Sequence, residues 1–262
     1  MNTKQLSGEL GRKSGLDFED LLEKEFLGKP PEDKKDIWGE ATTRSKTDLI
    51  IGSKNYSIKN PKAPSTKTQV QVCSADRFHR LLNPPLTVQE GINKFVGNHP
   101  KLLTKEGYKG NTKIMREVCK SWGVDFNTLD SDSECRRSRL LSDNIHNMEE
   151  VTNWFFENRT SVFKFALSTS FNDPKNHDTI ADTIWWSSKK NDINSIKEFS
   201  IAEILKKVEE DAEVSISVNK SVIKIGPMTF QMKGSGKGSA YHNMQFNMSL
   251  NDLANFMKKE DS

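Results

Sequence analysis

The chain has 262 residues, of which 34% are hydrophobic and 29% charged, and its mean hydropathy is −0.70. This length and polarity predict a soluble protein that can bury one large core, or one core plus an appendage, and no apolar run approaches the roughly 20 residues that cross a bilayer. The 39 basic and 36 acidic residues leave a net charge of only +3, which permits a nucleic-acid partner without requiring one.

The cysteine pattern indicates the compartment. Cys73, Cys119 and Cys135 are far apart, odd in number and without a CxxC pair. This pattern is typical of reduced thiols and argues against a structural zinc site. The first residues contain no apolar signal-peptide segment. We therefore expect a cytoplasmic protein.

Residues 14–28 predict the first helix. Ser14 is a candidate N-cap, with Asp17 three residues later as in a capping box, and Gly28 is a suitable terminator. Apolar residues recur at helical spacing between them, at Leu16, Phe18, Leu21, Leu22 and Phe26.

A β-hairpin is predicted next. Asp48 precedes the apolar residues 49–51, residues 52–55 (Gly-Ser-Lys-Asn) form a turn that suits left-handed backbone, and residues 56–59 form the second strand. Ser57 and Lys59 are two apart and project from the same face. Closure of the hairpin brings Asp48 near Lys59, so a carboxylate, a hydroxyl and an ammonium are grouped together.

This grouping suits phosphodiester hydrolysis. A carboxylate binds a hard divalent cation, usually Mg²⁺, which keeps several waters. The cation polarises the phosphate and acidifies a bound water, while the lysine positions that water or offsets developing charge. The alternative is an ordinary amphipathic hairpin with an acid at one end and a lysine at the other.

The pattern of Asp48, eight residues, then Ser57-Ile58-Lys59 resembles the motif of the PD-(D/E)xK nucleases, many of which are type II restriction endonucleases. Two positions depart from it: Ser57 stands where the second acid is usual, and Thr47 where proline is usual. With one strand carboxylate, a metal site needs another oxygen. The main-chain carbonyl of Ile58 is one candidate, and an acid from elsewhere is another.

The same resemblance extends to the first helix. Phe18-Glu19 is similar to the start of the first core helix of this superfamily, whose glutamate often faces the metal. It implies that Glu19 is an additional metal ligand, with Glu40 as the competing source. A solvated acid on an amphipathic helix is the alternative for Glu19.

Residues 60–69 carry two lysines, with serine and threonine and no acid, and so suit contact with phosphates. Restriction enzymes often follow the catalytic lysine with a similar segment that enters the next helix, here expected at residues 70–82. The implied DNA-binding residues are Lys62, Ser65, Lys67 and Gln69. A solvated charged loop is the alternative.

The remaining chain divides into a predicted helical insertion, residues 84–160, and a β-rich part, residues 161–262. Strands are expected at residues 181–186, 214–218, 222–225, 228–232 and 244–248, with helices at 200–211 and 249–258, the last capped by Ser249.

A Gly-, Ser- and Lys-rich loop, residues 233–239, joins the last two strands. It lacks the spacing of a P-loop and precedes a strand. A similar run leads into a final Met-Gln-Phe strand in type II enzymes of the MspI kind, seen here as Met244-Gln245-Phe246. The residues expected to contact DNA are Lys233, Ser235, Lys237 and His242, and a flexible hairpin tip is the alternative.

These features predict an α/β protein with a restriction-endonuclease-like core, in which helices flank a central mixed sheet. One nuclease domain would span residues 1–262, its catalytic core starting at 14–83. The resemblance implies a Mg²⁺-dependent, sequence-specific endonuclease of double-stranded DNA, as a monomer or homodimer. Asp48 would bind the metal, Lys59 would place the water, Ser57 would flank the site and Glu19 would be a weaker ligand. The alternatives are a structure-directed repair or recombination nuclease and a DNA-binding protein without catalysis.

Overall fold

The computed structural model describes residues 15–29, 46–97, 148–168, 180–217, 222–232 and 243–258. They form a mixed α/β protein with one four-stranded and one five-stranded sheet. The chain divides into two compact units: the first comprises Met1–Thr68, Phe163–Glu210 and Ser249–Ser262, and the second Gln69–Val162 and Asp211–Met248. That a single nuclease domain spans the chain stays a prediction. None of the described helices is long and apolar enough to cross a membrane.

In chain order the described elements are α1 (residues 15–25), β1 (Leu49–Ile51), β2 (Lys54–Lys59), β3 (Thr68–Ser74), α2 (Ala75–Leu82), α3 (Leu86–Gly97), α4 (Met148–Glu157), α5 (Arg159–Leu167), β4 (Thr183–Ser187), a 3-10 turn (Ile193–Ser195), β5 (Ile196–Ser200), α6 (Ile201–Asp211), β6 (Val214–Ser217), β7 (Val222–Ile225), β8 (Met228–Met232), β9 (Asn243–Met248) and α7 (Leu250–Lys258).

The predicted hairpin is present in the first unit. β1 and β2 pair antiparallel, with Leu49 opposite Tyr56 and Ile51 opposite Lys54, so that the turn contains only residues 52 and 53. The backbone of Gly52 has a φ of 60°, a conformation that favours glycine. The turn was predicted two residues too long, because Lys54 and Asn55 belong to β2.

The rest of this sheet comes from distant parts of the chain. Its strand order is β1-β2-β4-β5. β4 pairs parallel to β2, from Tyr56 opposite Thr183 to Lys59 opposite Trp186, and β5 pairs antiparallel to β4. The strand predicted at residues 181–186 is thus confirmed as β4, whereas β5 was not predicted. Because β2 and β4 run in the same direction, they end at the same edge of the sheet.

Helix α1 covers one face of this sheet. Phe18 and Leu22 are buried in a cluster with residues from β1, β2 and β4, namely Leu49, Tyr56, Ile58 and Trp185. The predicted apolar face of the helix was too wide, since Leu16 and Leu21 remain 41% and 43% exposed. The buried stripe is therefore narrow, and it covers the sheet face to which Tyr56 and Ile58 point.

Gly28 closes the C-terminus of α1, as predicted, because its N–H donates to the Glu23 carbonyl at 3.0 Å in the manner of a Schellman motif. Leu27, with a φ of 50°, takes the left-handed position after α1. A Cβ on Gly28 would lie 2.6 Å from Cδ1 of Leu49. Glycine is needed there because the chain passes so close to β1, where Lys29 then pairs with Ile50.

The second unit contains the five-stranded sheet, ordered β3-β9-β8-β7-β6. The four alternating segments of the C-terminal part form β6, β7, β8 and β9, as predicted. Aromatic rings fill its core: the Phe78 ring lies 5.8 Å from the Phe230 ring, 6.1 Å from Phe155 and 6.2 Å from Phe246. Within the predicted helical insertion, Leu86–Gly97 and Met148–Glu157 form the helices α3 and α4.

The helix predicted at residues 70–82 is wrong in its first half. Residues 68–74 form strand β3, and α2 begins only at Ala75. Val70 and Val72 alternate with glutamine, which is the period of a strand, and the Ser74 hydroxyl accepts a hydrogen bond from Arg77 N, which starts the helix.

Candidate active site

The structure brings Asp48, Ser57 and Lys59 together on one face of the first unit's sheet. Asp48 Oδ2 lies 3.8 Å from Lys59 Nζ. Between them, the Ser57 hydroxyl donates to Asp48 Oδ2 at 3.2 Å and accepts from Lys59 Nζ at 2.8 Å. The serine thus bridges the two charges with one oxygen.

The hairpin itself holds the Asp48 carboxylate. The Asp48 N–H donates to the Tyr56 carbonyl at 2.7 Å, beside the register pair of Leu49 and Tyr56 that closes the hairpin. The next main-chain donor, Ile58 N–H, bonds Asp48 Oδ2 at 2.7 Å. β1 is too short to supply a main-chain acceptor for the Ile58 N–H. The Asp48 side chain accepts this hydrogen bond instead, which fixes its carboxylate at the open end of the hairpin.

The lysine is held as firmly. Lys59 Nζ donates to the Ile58 carbonyl at 3.1 Å as well as to Ser57. The side chains of Lys59 and Asp48 are 15% and 22% exposed, and Ser57 is 1% exposed. The charges are thus largely withdrawn from water, which strengthens their attraction, yet both remain reachable from solvent. Trp186, fully buried, is the register neighbour of Lys59 on β4.

The oxygen donors of this site fit Mg²⁺. A carboxylate, a main-chain carbonyl and a hydroxyl, from Asp48, Ile58 and Ser57, are hard ligands of the kind that Mg²⁺ takes together with waters. The Ile58 carbonyl now accepts the lysine ammonium, so the metal and the lysine would draw on the same oxygen. Within the described ranges, no group of three or more His, Cys, Asp or Glu side chains is assembled to hold a metal. One carboxylate with main-chain and water oxygens is therefore the ligand set on which the prediction depends.

The two candidate additional acids differ in what can be said of them. Glu19 lies in α1 and is partly buried, directly after Phe18, whose ring packs into the sheet core. Its role as a weaker metal ligand stays a prediction. Glu40 lies outside the described residues.

The basic segment after β2 is anchored to helix α7. Its predicted DNA-binding residues Lys62, Ser65 and Lys67 are exposed, and Gln69 is also exposed but lies in β3. Lys67 Nζ bonds Asp252 Oδ2 at 2.5 Å, and Asn251 N–H donates to the Pro64 carbonyl at 3.1 Å. An exposed ion pair contributes only about 0–1 kcal/mol, so Lys67 can exchange Asp252 for a phosphate at little cost.

The cap of α7 was predicted correctly. The Ser249 hydroxyl accepts a hydrogen bond from Asp252 N at 3.1 Å. The other predicted DNA-binding residues, Lys233, Ser235, Lys237 and His242, lie outside the described residues.

The structure adds one neighbour of the site that sequence reasoning missed. The loop after β4, residues 188–195, adjoins the end of β2, and Asn191 is hydrogen-bonded to Asn60, the residue after Lys59. Only the pairing of β2 with β4 reveals this proximity, and no local pattern in the sequence signals it.

No family model and no curated protein matches the sequence. Function is therefore inferred from the geometry of this site.

Proposed function

We propose that the protein is a Mg²⁺-dependent endodeoxyribonuclease of the type II restriction kind, which hydrolyses duplex DNA at a short sequence in the cytoplasm. One observation carries the proposal: Asp48 and Lys59 share the Ser57 hydroxyl, 3.8 Å apart, at the open end of a hairpin. This is the arrangement that the nuclease motif requires, with a hydroxyl in place of its second acid.

The burial of this ion pair supports a functional role. The ion pairs Lys67–Asp252, Lys189–Asp192 and Lys206–Glu210 have side-chain exposures between 29% and 79%, whereas Lys59 and Asp48 have 15% and 22%. Withdrawing charges from water costs free energy that their attraction often fails to recover, so a buried pair is weak support for a purely stabilising role. Stability alone therefore gives little reason for this partly buried pair, which supports a functional role.

Asp48 would hold the metal together with the Ile58 carbonyl. Bound Mg²⁺ supplies Lewis-acid polarisation of the phosphate and acidifies a coordinated water. The Asp48 carboxylate is already oriented by the Ile58 N–H and the Ser57 hydroxyl. A pre-oriented carboxylate requires little rearrangement during the reaction, which is how preorganised electrostatics lower a barrier.

Lys59 would orient the attacking water or offset the negative charge that grows on the phosphate. Its ammonium has three N–H donors, two of which bond Ser57 Oγ and the Ile58 carbonyl. The third can bond a water or a phosphate oxygen. Ser57 cannot supply the charge of a second acid. Its part is to keep the carboxylate and the ammonium at a constant separation.

A DNA-binding protein without catalysis is the second candidate, and Ser57 favours it. With a hydroxyl at the usual acidic position, the site has one strand carboxylate to offer a metal. Such a protein would bind duplex DNA and leave it uncut. A nuclease directed by DNA structure would use the same residues and would prefer branched or damaged substrates.

Incubation with unmodified supercoiled plasmid tests the proposal. We expect Mg²⁺-dependent cleavage to discrete fragments, no cleavage in EDTA, and no cleavage by Asp48→Ala or Lys59→Ala, both of which should still bind DNA. Lys206→Ala, an exposed lysine on α6 of the same unit, is the matched control and should cut normally. Cleavage that survives in Lys59→Ala would refute the assignment. Binding without cleavage would favour the second candidate, and preferential cutting of branched DNA would favour the structure-directed nuclease.

A further inference from the structure

The loop of residues 188–195 lies at the sheet edge where the candidate site opens. Lys59 is the last residue of β2, and its register partner Trp186 is followed by Ser187 and then by this loop. Because β2 and β4 are parallel neighbours, the segments that leave them start side by side. The loop therefore begins one strand away from Lys59.

Two hydrogen bonds between Asn60 and Asn191, called here the Asn60–Asn191 clasp, hold this loop against the end of β2. Asn60 Nδ2 donates to Asn191 Oδ1 at 2.7 Å, and Asn191 N–H donates to Asn60 Oδ1 at 2.9 Å. The Asn191 backbone is left-handed, with a φ of 59°, which asparagine tolerates better than most residues. Both ends of one amide side chain thus bond the loop, directly after the candidate catalytic lysine.

The loop is also fixed internally by Ser195. Its hydroxyl accepts from Lys189 N–H at 3.0 Å and lies 2.9 Å from the Ser187 hydroxyl. Its carbonyl accepts from Ser188 N–H at 3.1 Å, and Asp192 caps the short turn through Asn194 N–H. A loop held in this way loses little conformational freedom when a ligand binds, which favours affinity.

The fixed backbone presents exposed ammonium groups. The Lys189 side chain is 79% exposed and 3.8 Å from Asp192, and Lys190 is exposed. Within the described residues, Lys190 forms no ion pair within 4 Å. The clasped segments, residues 60–67 and 188–195, contain four lysines and one acid. With Asp252 of α7, which is paired with Lys67, the lysines still outnumber the acids by four to two, so this edge has a small excess of positive charge.

We propose that residues 188–195 form a phosphate-binding loop, in which Lys189 and Lys190 grip the DNA backbone beside the scissile phosphate and the Asn60–Asn191 clasp sets their distance from Lys59. The inference rests on the proposed function, since it names the surface on which the same site receives its substrate. Lysine contacts to phosphates position a duplex without reading its sequence. The loop thus contributes affinity and register, and specificity resides elsewhere.

Salt dependence of DNA binding gives the test. Each neutralised phosphate contributes about 0.9 to the slope of log affinity against log salt concentration. With a plain duplex and no Mg²⁺, we expect the double variant Lys189→Gln/Lys190→Gln to lower that slope by about 1–2. Lys206→Gln, whose side chain is 77% exposed and 3.9 Å from Glu210, should leave it unchanged.

Asn60→Ala tests the clasp separately, because it removes both hydrogen bonds without changing the charge of the protein. We expect weaker binding than in the wild type, with the circular dichroism spectrum unchanged. Binding by Asn60→Ala that equals the wild type would overturn the part assigned to the clasp.

The outcomes separate this inference from the proposed function. A wild-type protein that cuts DNA, with an unchanged slope in the double lysine variant, overturns the loop and leaves the nuclease standing. A wild-type protein that binds without cutting, with a reduced slope in that variant, supports the loop and overturns the nuclease. A wild-type protein that does not bind duplex DNA overturns both.

Discussion

The most informative single change is at Asp48, because structure and chemistry make different demands on its carboxylate. The fold requires an acceptor for the Ile58 N–H, which lies 2.7 Å from Oδ2, and the proposed reaction requires negative charge. Asparagine retains an oxygen that can accept this hydrogen bond and lacks the charge. Alanine lacks both, so the pair of variants separates the two demands.

The expected stabilities follow from the contacts. A donor left without an acceptor away from water costs about 1–3 kcal/mol. Asp48→Ala leaves the Ile58 N–H in this state and also removes the partner of the Ser57 hydroxyl. We therefore expect it to lose about 2–3 kcal/mol of unfolding free energy, and Asp48→Asn only about 1 kcal/mol. Cleavage should fall by more than roughly 100-fold in both, because both lack the charge that holds the metal.

Urea denaturation and plasmid cleavage, measured on the same preparations, check these values. Asp182→Ala is the matched control, since Asp182 Oδ2 also accepts a β2 main-chain hydrogen bond, from Asn55 at 3.1 Å, in an exposed position. Water can replace that acceptor, so its loss should cost less than about 1 kcal/mol and leave cleavage unchanged. Equal stability of Asp48→Ala and Asp48→Asn would refute the reasoning about Ile58, and cutting by Asp48→Asn at the wild-type rate would refute the metal-binding role.

Three further outcomes are expected. Ser57→Ala removes the bridging hydroxyl of a residue that is 1% exposed. In urea denaturation the protein should lose about 1–2 kcal/mol of unfolding free energy, and it should cut DNA roughly tenfold more slowly. An unchanged cleavage rate would show that the bridge is dispensable. Burial, and then the charges of Glu198 and Asp182, raise the pKa of the Tyr56 hydroxyl above its ordinary value of 10.0. The stability that the neutral hydroxyl contributes is therefore present below pH 10.0 and is lost as the pH rises through the folded-state pKa. Unfolding free energies at about pH 9 and pH 11 should therefore differ more in the wild type than in Tyr56→Phe, and an equal decline in both would contradict this. Phe78→Ala, in the aromatic core of the second unit, should cost about 3–5 kcal/mol in urea denaturation, whereas a loss below about 1 kcal/mol would mean that the cluster is poorly packed.

The hairpin could be predicted from sequence because its determinants are local. Gly52 supplies the left-handed turn residue, and the alternation of Ser57 and Lys59 with Tyr56 and Ile58 assigns each side chain to a face. The hydrogen bond from the Ile58 N–H to Asp48 could not be read in this way. It depends on β1 beginning only at Leu49, which leaves the Ile58 N–H without a strand partner.

The strand β3 shows how two periodicities can compete over a short segment. Val70 and Val72 follow the strand period, whereas Val70, Phe78 and Leu82 could also share one apolar helix face. The cue that separates them is Ser74, whose hydroxyl caps α2 and marks where the strand ends. The serine cap thus defines the boundary that the apolar spacing leaves open.

The strand β5 and the loop before it were beyond local patterns. Ile196–Ser200 has two adjacent charged residues and no clear apolar face, and it is a strand because it pairs with β4. β4 in turn pairs with β2 across 127 residues of chain, from Tyr56 to Thr183. Such contacts depend on the whole fold, so the Asn60–Asn191 clasp became visible only with the structure.

The two-residue connection between β1 and β2 has a consequence for how this site can vary. Residues added at positions 52 and 53 would extend into solvent and leave the ladder of Leu49 with Tyr56 intact. One residue added between Tyr56 and Lys59 would instead rotate the lysine to the opposite side of the sheet, under α1. The number of residues between Asp48 and Lys59 can therefore vary through the turn, whereas the interior of β2 tolerates no insertion. A sequence search that fixes the spacing of the two residues would miss proteins with the same site and a longer turn.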